Sequence, residues 1–334
     1  MSTGLVYDSR CMDHDTGSSH PERPARMSAI VERLKQACWN DEGEVLWDAM
    51  VHLSPRLIDE RWLLTCHDQA HIDRVREACE SGARAVDTND CPICTESFEL
   101  AKLSAGAALV AIDAIMAGGS ESVVDESAQP ITNAFCAMRP PGHHAERDKA
   151  MGFCFFANVA IAAEYFIKQY GLKRVAIVDF DVHHGNGTQH IHEDRADILF
   201  ISLHEHPDHQ YPGTGYVHET GVGVGKGFTV NIPLEPGGDD ALYQRMFDES
   251  VIPRMHAFAP EAVIVSAGFD AAKADPLGRM QVSMAGFAWM TKQIKQIAKE
   301  HAHDRLLSCL EGGYDLDALG AGVEAHLRVL MQKD

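Results

Sequence analysis

Apolar residues recur in two rhythms along this chain. Short, β-branch-rich runs closed by charge or glycine occupy residues 4–7, 45–47, 134–138, 175–178, 197–203, 228–232, 261–270 and 306–314. Such continuous runs read as strands buried on both faces, with 45–47 at an edge. Between them the apolar spacing is helical. Met27, Ile30, Val31, Leu34 and Cys38 mark a first helix, and further helices are expected over 98–116, 155–170, 241–258, 284–298 and 317–332. Gly118 with Gly119, and Gly171, are stops, while Ser283 is an N-cap. About eight strands alternating with helices predict an α/β, three-layer arrangement.

The stretch 174–187, RVAIVDFDVHHGNG, concentrates polar chemistry at the end of a buried strand. Asp179, Asp181 and His183 alternate, so an extended backbone turns them to one side, at the carboxyl edge where open α/β sheets place their sites. Carboxylate and imidazole two apart suit a divalent metal, and a second carboxylate can orient a neighbouring imidazole. The same residues also suit a strand end capped by a polar turn, since Gly185, Asn186 and Gly187 make one. Distant segments shift the balance toward chemistry. MRPPGHH at 138–144 places a paired histidine after a rigid Pro-Pro-Gly turn, EAVIVSAGFD at 261–270 ends in a carboxylate, and LLSCLEGGY at 306–314 ends in a phenol.

With these segments in view, the sequence resembles the zinc-dependent histone deacetylase family, including its bacterial acetylpolyamine amidohydrolase and deacetylase-like members. The resemblance runs through HPERP (20–24), DCP (90–92), RPPGHH, GFCFFAN (152–158), DFDVHHGNGTQ, SLH (202–204), YPGTG (211–215), SAGFDA with DPLG, and EGGY. It covers nearly the whole chain and implies the arginase/deacetylase fold. That fold has a mostly parallel eight-stranded sheet, helices on both faces and long loops at the carboxyl edge, here as one catalytic domain over 1–334.

The resemblance also implies a site. Asp181, His183 and Asp270 would hold one catalytic zinc with positions left open for water and substrate. His143 and His144 would be the acid/base pair, with Asp179 the partner of His143 and Asn186 of His144, where some relatives carry aspartate. Tyr314 would donate a hydrogen bond to the developing oxyanion; relatives with histidine there are poor deacetylases. Gly152, Phe153 and Tyr211 would line an acyl-lysine channel, Tyr211 replacing the usual phenylalanine, and Asp90 would bind the substrate backbone. Leu277 stands where a polyamine-specific relative has glutamate, which favours acyl-lysine in a protein or peptide over acetylpolyamine or another small acyl amide. A structural potassium is implied at Asp179, Asp181, His183, Ser202 and Leu203. A binuclear manganese ureohydrolase on the same fold would need extra bridging carboxylates, but Gly185 stands four after Asp181, and Gly268 and Ala272 flank Asp270. A non-catalytic acyl-lysine reader would show a broken zinc set or a lost tyrosine.

Composition trims the remaining classes. A net charge of -20 argues against direct binding of nucleic acid, which needs clustered Lys and Arg, and is compatible with cationic substrates. Several of the nine cysteines (Cys38, Cys136, Cys154, Cys309) read as reduced, buried thiols, and Cys91 and Cys94 lack the second pair of a zinc finger. No window is expected to approach a membrane span and the first ten residues carry no signal-peptide pattern, so a cytoplasmic protein without a membrane partner is expected. His67 and His71 read as a surface pair. GVGVGKG at 221–227 fails as a phosphate cradle, because glycine follows its lysine and a strand comes next, and reads as a hairpin-like loop.

Overall fold

Val175 to Val178 are all inaccessible to solvent, as are their neighbours Val263 and Ile264, so apolar layers must cover both faces of the sheet they form. The computed structural model describes residues 2–118 and 130–332. Its strands are β1 (Ser2–Val6), β2 (Val51–Leu53), β3 (Ile131–Cys136), β4 (Val175–Asp179), β5 (Ile198–Glu205), β6 (Thr229–Leu234), β7 (Ala262–Ala267) and β8 (Leu306–Leu310). They form one eight-stranded sheet in the order β2-β1-β3-β8-β7-β4-β5-β6, with every neighbouring pair parallel. From β4 the chain runs outward through β5 and β6, then returns to place β7 on the other side of β4. The β4/β7 boundary is therefore a topological switch point, the position where parallel sheets open a crevice at their carboxyl edge.

The helices are α1 (Ala25–Gln36), α2 (Glu60–Leu63), α3 (Gln69–Ser81), α4 (Ser97–Gly118), α5 (Asn158–Tyr170), α6 (Asn186–His192), α7 (Asp240–Met246), α8 (Ile252–Phe258), α9 (Met284–His301) and α10 (Leu316–Met331). One layer is built by α4 and α5, which pack together and against β1, β3, β4, β7 and β8. The other is built by α1, α9 and α10 over β1, β3 and β7. This is the three-layer α/β fold that the apolar pattern and the family resemblance imply. Ser283 caps α9 by accepting from the Gly286 amide, and the left-handed Gly171 ends α5.

Several expectations need correction. The edge strand is Val51–Leu53; the 45–47 run makes only an isolated bridge from Val45 to Cys38. The 241–258 helix is interrupted by a π-helical turn, Phe247–Val251, between α7 and α8. Because β6 lies parallel to β5, residues 221–227 belong to a crossover and close no hairpin. Gly119 lies outside the described residues, and Cys38 is exposed. His67 and His71 are buried: His67 accepts from the Ala157 amide and binds the Glu146 carbonyl, both at 2.9 Å, while His71 meets the Phe155 carbonyl at 2.8 Å. The pair stitches the loop before α5 onto the start of α3. α4 is long and apolar enough to cross a membrane by length and composition, against expectation. Two-thirds of that window is buried inside the fold, which explains a helix apolar all round.

Under the carboxyl edge lies a charged knot with almost no solvent contact. Glu22 takes two bonds of 2.6 Å from Arg139 and one of 3.0 Å from Arg26. Arg139 also donates to the carbonyls of Cys11 and His14, and Arg26 to those of Gly313 and Glu311. Burial would raise the Glu22 carboxyl, but the two guanidinium groups outweigh it and hold it at about 2. Removing one member of such a knot leaves buried charge uncompensated, so Glu22→Gln should cost about 3 kcal/mol, read as a lower urea midpoint. Since the folded carboxyl is held below its unfolded value of about 4.3, that contribution is full above this value and drains as pH falls toward 2. The gap between wild type and variant should narrow over that window; a gap constant with pH would show that the Glu22 charge does not carry the effect.

Candidate active site

β4 ends in two successive side-chain turns. Asp179 Oδ1 accepts from the Asp181 amide at 3.1 Å, and Asp181 Oδ1 from the His183 amide at 2.9 Å. The backbone therefore bends after Asp179 and does not continue as the extended strand that the alternation presumed, yet Asp181 and His183 still converge. Asp270, just beyond β7, takes the Val182 amide at 2.9 Å, and Asp181 Oδ2 takes the Gly312 amide at 2.7 Å, so the loops after β4, β7 and β8 are laced together. A Cβ at Gly268 or Gly312 would stand 2.0 Å from a carboxylate oxygen of Asp181 or Asp270, which is why glycine occupies both positions.

His183 Nδ1 lies 3.0 Å from Asp181 Oδ1 and 3.1 Å from Asp270 Oδ2, and one ligating atom from each of the three buried residues falls within 4.8 Å of the others. Two carboxylate oxygens and one imidazole nitrogen, oriented by backbone amides, form a donor set that fits a catalytic zinc. Burial works against charge on His183, but the bonds from Asp181 and Asp270 prevail and raise it to about 10. Asp270 is pushed up to about 7 by burial and the Asp181 charge. Asp181 moves down, burial being overcome by His143 and His183.

The turn carrying the paired histidines is pinned by Glu311, whose Oε2 accepts the Gly142 and His143 amides at 2.7 and 3.1 Å. The two rings lie 4.0 Å apart between centroids. His143 Nδ1 meets Asp179 at 3.0 Å, and His144 Nδ1 meets Asn186 Oδ1 at 2.7 Å. His143 rises to about 10, burial being outweighed by Asp179 and Asp181, while burial and the neighbouring His143 push His144 well down. The Asn186 amide group donates to Glu146 Oε1 at 2.5 Å and to the His144 carbonyl at 3.2 Å, both acceptors only. Its oxygen must therefore face His144, so neutral His144 carries its proton on Nδ1 and keeps the Nε2 lone pair free. Glu146 is in turn held by His190 at 2.8 Å.

A pocket of about 240 Å³ is lined by Asp90, His144, Gly152, Phe153, His183, Gln210, Tyr211, Leu277 and Tyr314. A larger surface groove of about 410 Å³ between α1 and α10 shares no lining residue with this pocket. The Gly152 backbone, at φ +56°, passes so near the His144 ring that a Cβ would approach to 2.2 Å. Asp90 Oδ2 accepts the Gly152 amide at 3.1 Å, and its buried Oδ1 has no hydrogen-bond partner among the described residues. The half-exposed Tyr211 sets its ring against His144 at 5.1 Å, and the Phe153 ring meets Tyr314 at 5.8 Å. Ser202 pairs in register with Asp179, and Leu203 follows it on β5.

Every residue expected at the site is thus brought to one carboxyl-edge region, and four supporting residues were not foreseen. Glu311 and Asp275 stand inside EGGY and DPLG. Asp275 takes the Tyr314 amide at 2.6 Å and the Leu277 amide at 3.0 Å, fixing the phenol beside the pocket. Gln210 donates to the Leu277 carbonyl at 2.6 Å, and Glu146 follows the histidine pair by two positions.

Fold and site together define a hydrolase of the deacetylase class. The chain matches the histone deacetylase domain over residues 20–330 and belongs to that family. It is 41% identical to a histone deacetylase-like amidohydrolase of Pseudomonas aeruginosa, over 93% of this chain and 81% of that protein. It is 36% identical to the chloroplastic histone deacetylase 14 of Arabidopsis thaliana, over 99% of this chain and 77% of that one. The crystal structure of the HDA15 HD domain superposes with a TM-score of 0.88 at 37% identity, covering 99% of this chain and 88% of that one.

The locked amide of Asn186 makes Glu146 a positioning residue. Glu146→Ala should lower kcat for deacetylation by about tenfold with KM little changed, and Glu146→Gln, which keeps an acceptor oxygen, should restore most of it. A change confined to KM, or no rescue by glutamine, would contradict this role.

Proposed function

We propose that this chain is a zinc-dependent deacylase acting on acyl-lysine side chains of proteins or peptides. The observation that carries the reading is the convergence of Asp181, His183 and Asp270 beside the paired histidines and Tyr314 at one pocket. Zinc held by those three residues would supply Lewis acidity, bringing the pKa of water to about 7 and polarising the acyl carbonyl.

The chain's own groups divide the remaining work. His144 Nε2, free because Asn186 holds Nδ1–H, takes the proton from the attacking water and passes it to the departing amine nitrogen. His143, held by Asp179, stays charged and steadies the negative charge that develops nearby. The Tyr314 phenol donates to the oxyanion, a contribution of about 3 kcal/mol. Phe153, Tyr211 and Leu277 grip the aliphatic stem, and the unpartnered oxygen of Asp90 is available to a backbone amide of the substrate. Asp179, Asp181, His183, Ser202 and Leu203, gathered where β4 and β5 end, would hold a structural potassium through side-chain and carbonyl oxygens.

Leu277 supports the preference for acyl-lysine, because Asp90 is then the pocket's lining carboxylate outside the proposed zinc set, where a polyamine offers further cationic nitrogens. The test is steady-state hydrolysis of a fluorogenic acetyl-lysine peptide beside acetylputrescine and acetylspermidine. Peptide turnover should dominate and fall about 10²- to 10³-fold in Tyr314→Phe. It should vanish on chelation and return with zinc. Turnover of the free polyamines alone would move the assignment to small acyl amides, and silence on all three with zinc bound would indicate another acyl group or a reader.

A further inference from the structure

On the opposite edge of the sheet, the last turn of α8 meets the last turn of α9. His256 Nδ1 and His301 Nε2 face each other at 2.9 Å, and Glu300 Oε2 lies 3.7 Å from the same His256 nitrogen. One ligating atom from each of the three falls within 4.8 Å of the other two. A metal with bonds of about 2.0–2.1 Å sets its ligand atoms about 2.9 Å apart at a right angle and about 3.4 Å apart at the tetrahedral angle. The imidazole pair matches the right-angle value, and the carboxylate lies about 0.3 Å beyond the tetrahedral one, within reach of a small side-chain adjustment. Two facing imidazole nitrogens can share only one proton between them, whereas a cation uses both lone pairs.

The carboxylate is already oriented for the task. Gln296, one turn earlier on α9, donates to Glu300 Oε1 at 2.6 Å, which leaves Oε2 directed toward His256. The His256 and Glu300 side chains are 44% and 40% exposed, so a metal could enter from solvent and keep water on its open positions. Two imidazoles select against calcium and magnesium and favour zinc, nickel or copper.

We propose that His256, Glu300 and His301 form a second, peripheral site for a borderline divalent transition metal, which staples α8 to α9. α8 precedes β7 and α9 precedes β8, so the site sits at the amino edge of the parallel sheet, with the deacetylase groups at the carboxyl edge. It shares no residue with them.

Equilibrium dialysis with Zn²⁺ and absorption titration with Co²⁺, on the full chain and on His256→Ala/His301→Ala, test this directly. Wild type should take up one equivalent more of either metal than the double variant. Its Co²⁺ difference spectrum should show the bands of an N/O site, Gln296→Ala should bind this equivalent severalfold more weakly, and Glu300→Gln roughly tenfold more weakly. The substituted side chains are on the surface, so circular dichroism and peptide hydrolysis should be unchanged in the double variant. Equal uptake by the wild type and the double variant would overturn the proposal, as would an extra equivalent unaffected by both Glu300→Gln and Gln296→Ala. Because the readout is the difference between wild type and variant, it stands or falls separately from occupancy of the Asp181, His183 and Asp270 centre.

Discussion

The structure depends on burying several carboxylates in one small volume. Asp179, Asp181, Asp270 and Glu311 are all inaccessible to solvent at the carboxyl ends of β4, β7 and β8, where His143 and His183 are the imidazoles that face them. Carboxylates cannot stay charged at such depth without donors, and here backbone amides supply them. Asp181, Val182 and Gly312 each lend an amide to an aspartate, and Gly142 and His143 lend theirs to Glu311. Those amides belong to the loops that form the pocket, so the shape of the loops and the solvation of the charge are one constraint. The absence of side chains at Gly268 and Gly312 follows from it, since the carboxylates occupy the space that a Cβ would need.

A second layer turns this local arrangement into a property of the whole fold. Glu22 enters from the loop ahead of α1, Arg139 from the turn after β3, and Arg26 reaches the carbonyls of Glu311 and Gly313 after β8. Arg26 also lies over the Tyr314 ring at 5.0 Å. Both guanidinium groups are fully buried, so their donors have no water to fall back on and must be met by these particular carbonyls. The N-terminal loop is thereby fixed against segments more than a hundred residues away, and the phenol inherits that rigidity.

The strands carrying the site were legible because burial on both faces writes an uninterrupted apolar run, and a run that stops at aspartate or glutamate marks the sheet edge. Parts whose environment is made by distant chain were not. His67 and His71 show helical spacing, but whether their shared face is buried depends on the 146–157 loop folding over it. The edge strand β2 is largely exposed and leaves no apolar signature, while the apolar 45–47 run makes one bridge only. The apolar richness of 98–116 predicts a long helix but not that it reaches the length and composition of a membrane span, and α4's burial against α5 and the sheet accounts for it. Glu146 was visible as a residue, but its meaning lies in Asn186, forty positions on, whose amide it turns.

That amide sets apart the charge states of two imidazoles of the same chain segment. With ring centroids 4.0 Å apart, charging both would set like charges against each other in a poorly solvated place, so the partners decide which one is charged. Asp179 brings a carboxylate to His143 and favours the imidazolium. Asn186 brings only a neutral oxygen to His144, which orients the ring without favouring its charge. An aspartate at 186 would attract a second proton, and would also meet Glu146 as a like charge in place of a donor. Asparagine and Glu146 are therefore a matched pair. Together they leave His144 neutral, with its lone pair on the nitrogen that Asn186 does not hold, which is the form a proton acceptor beside the pocket requires.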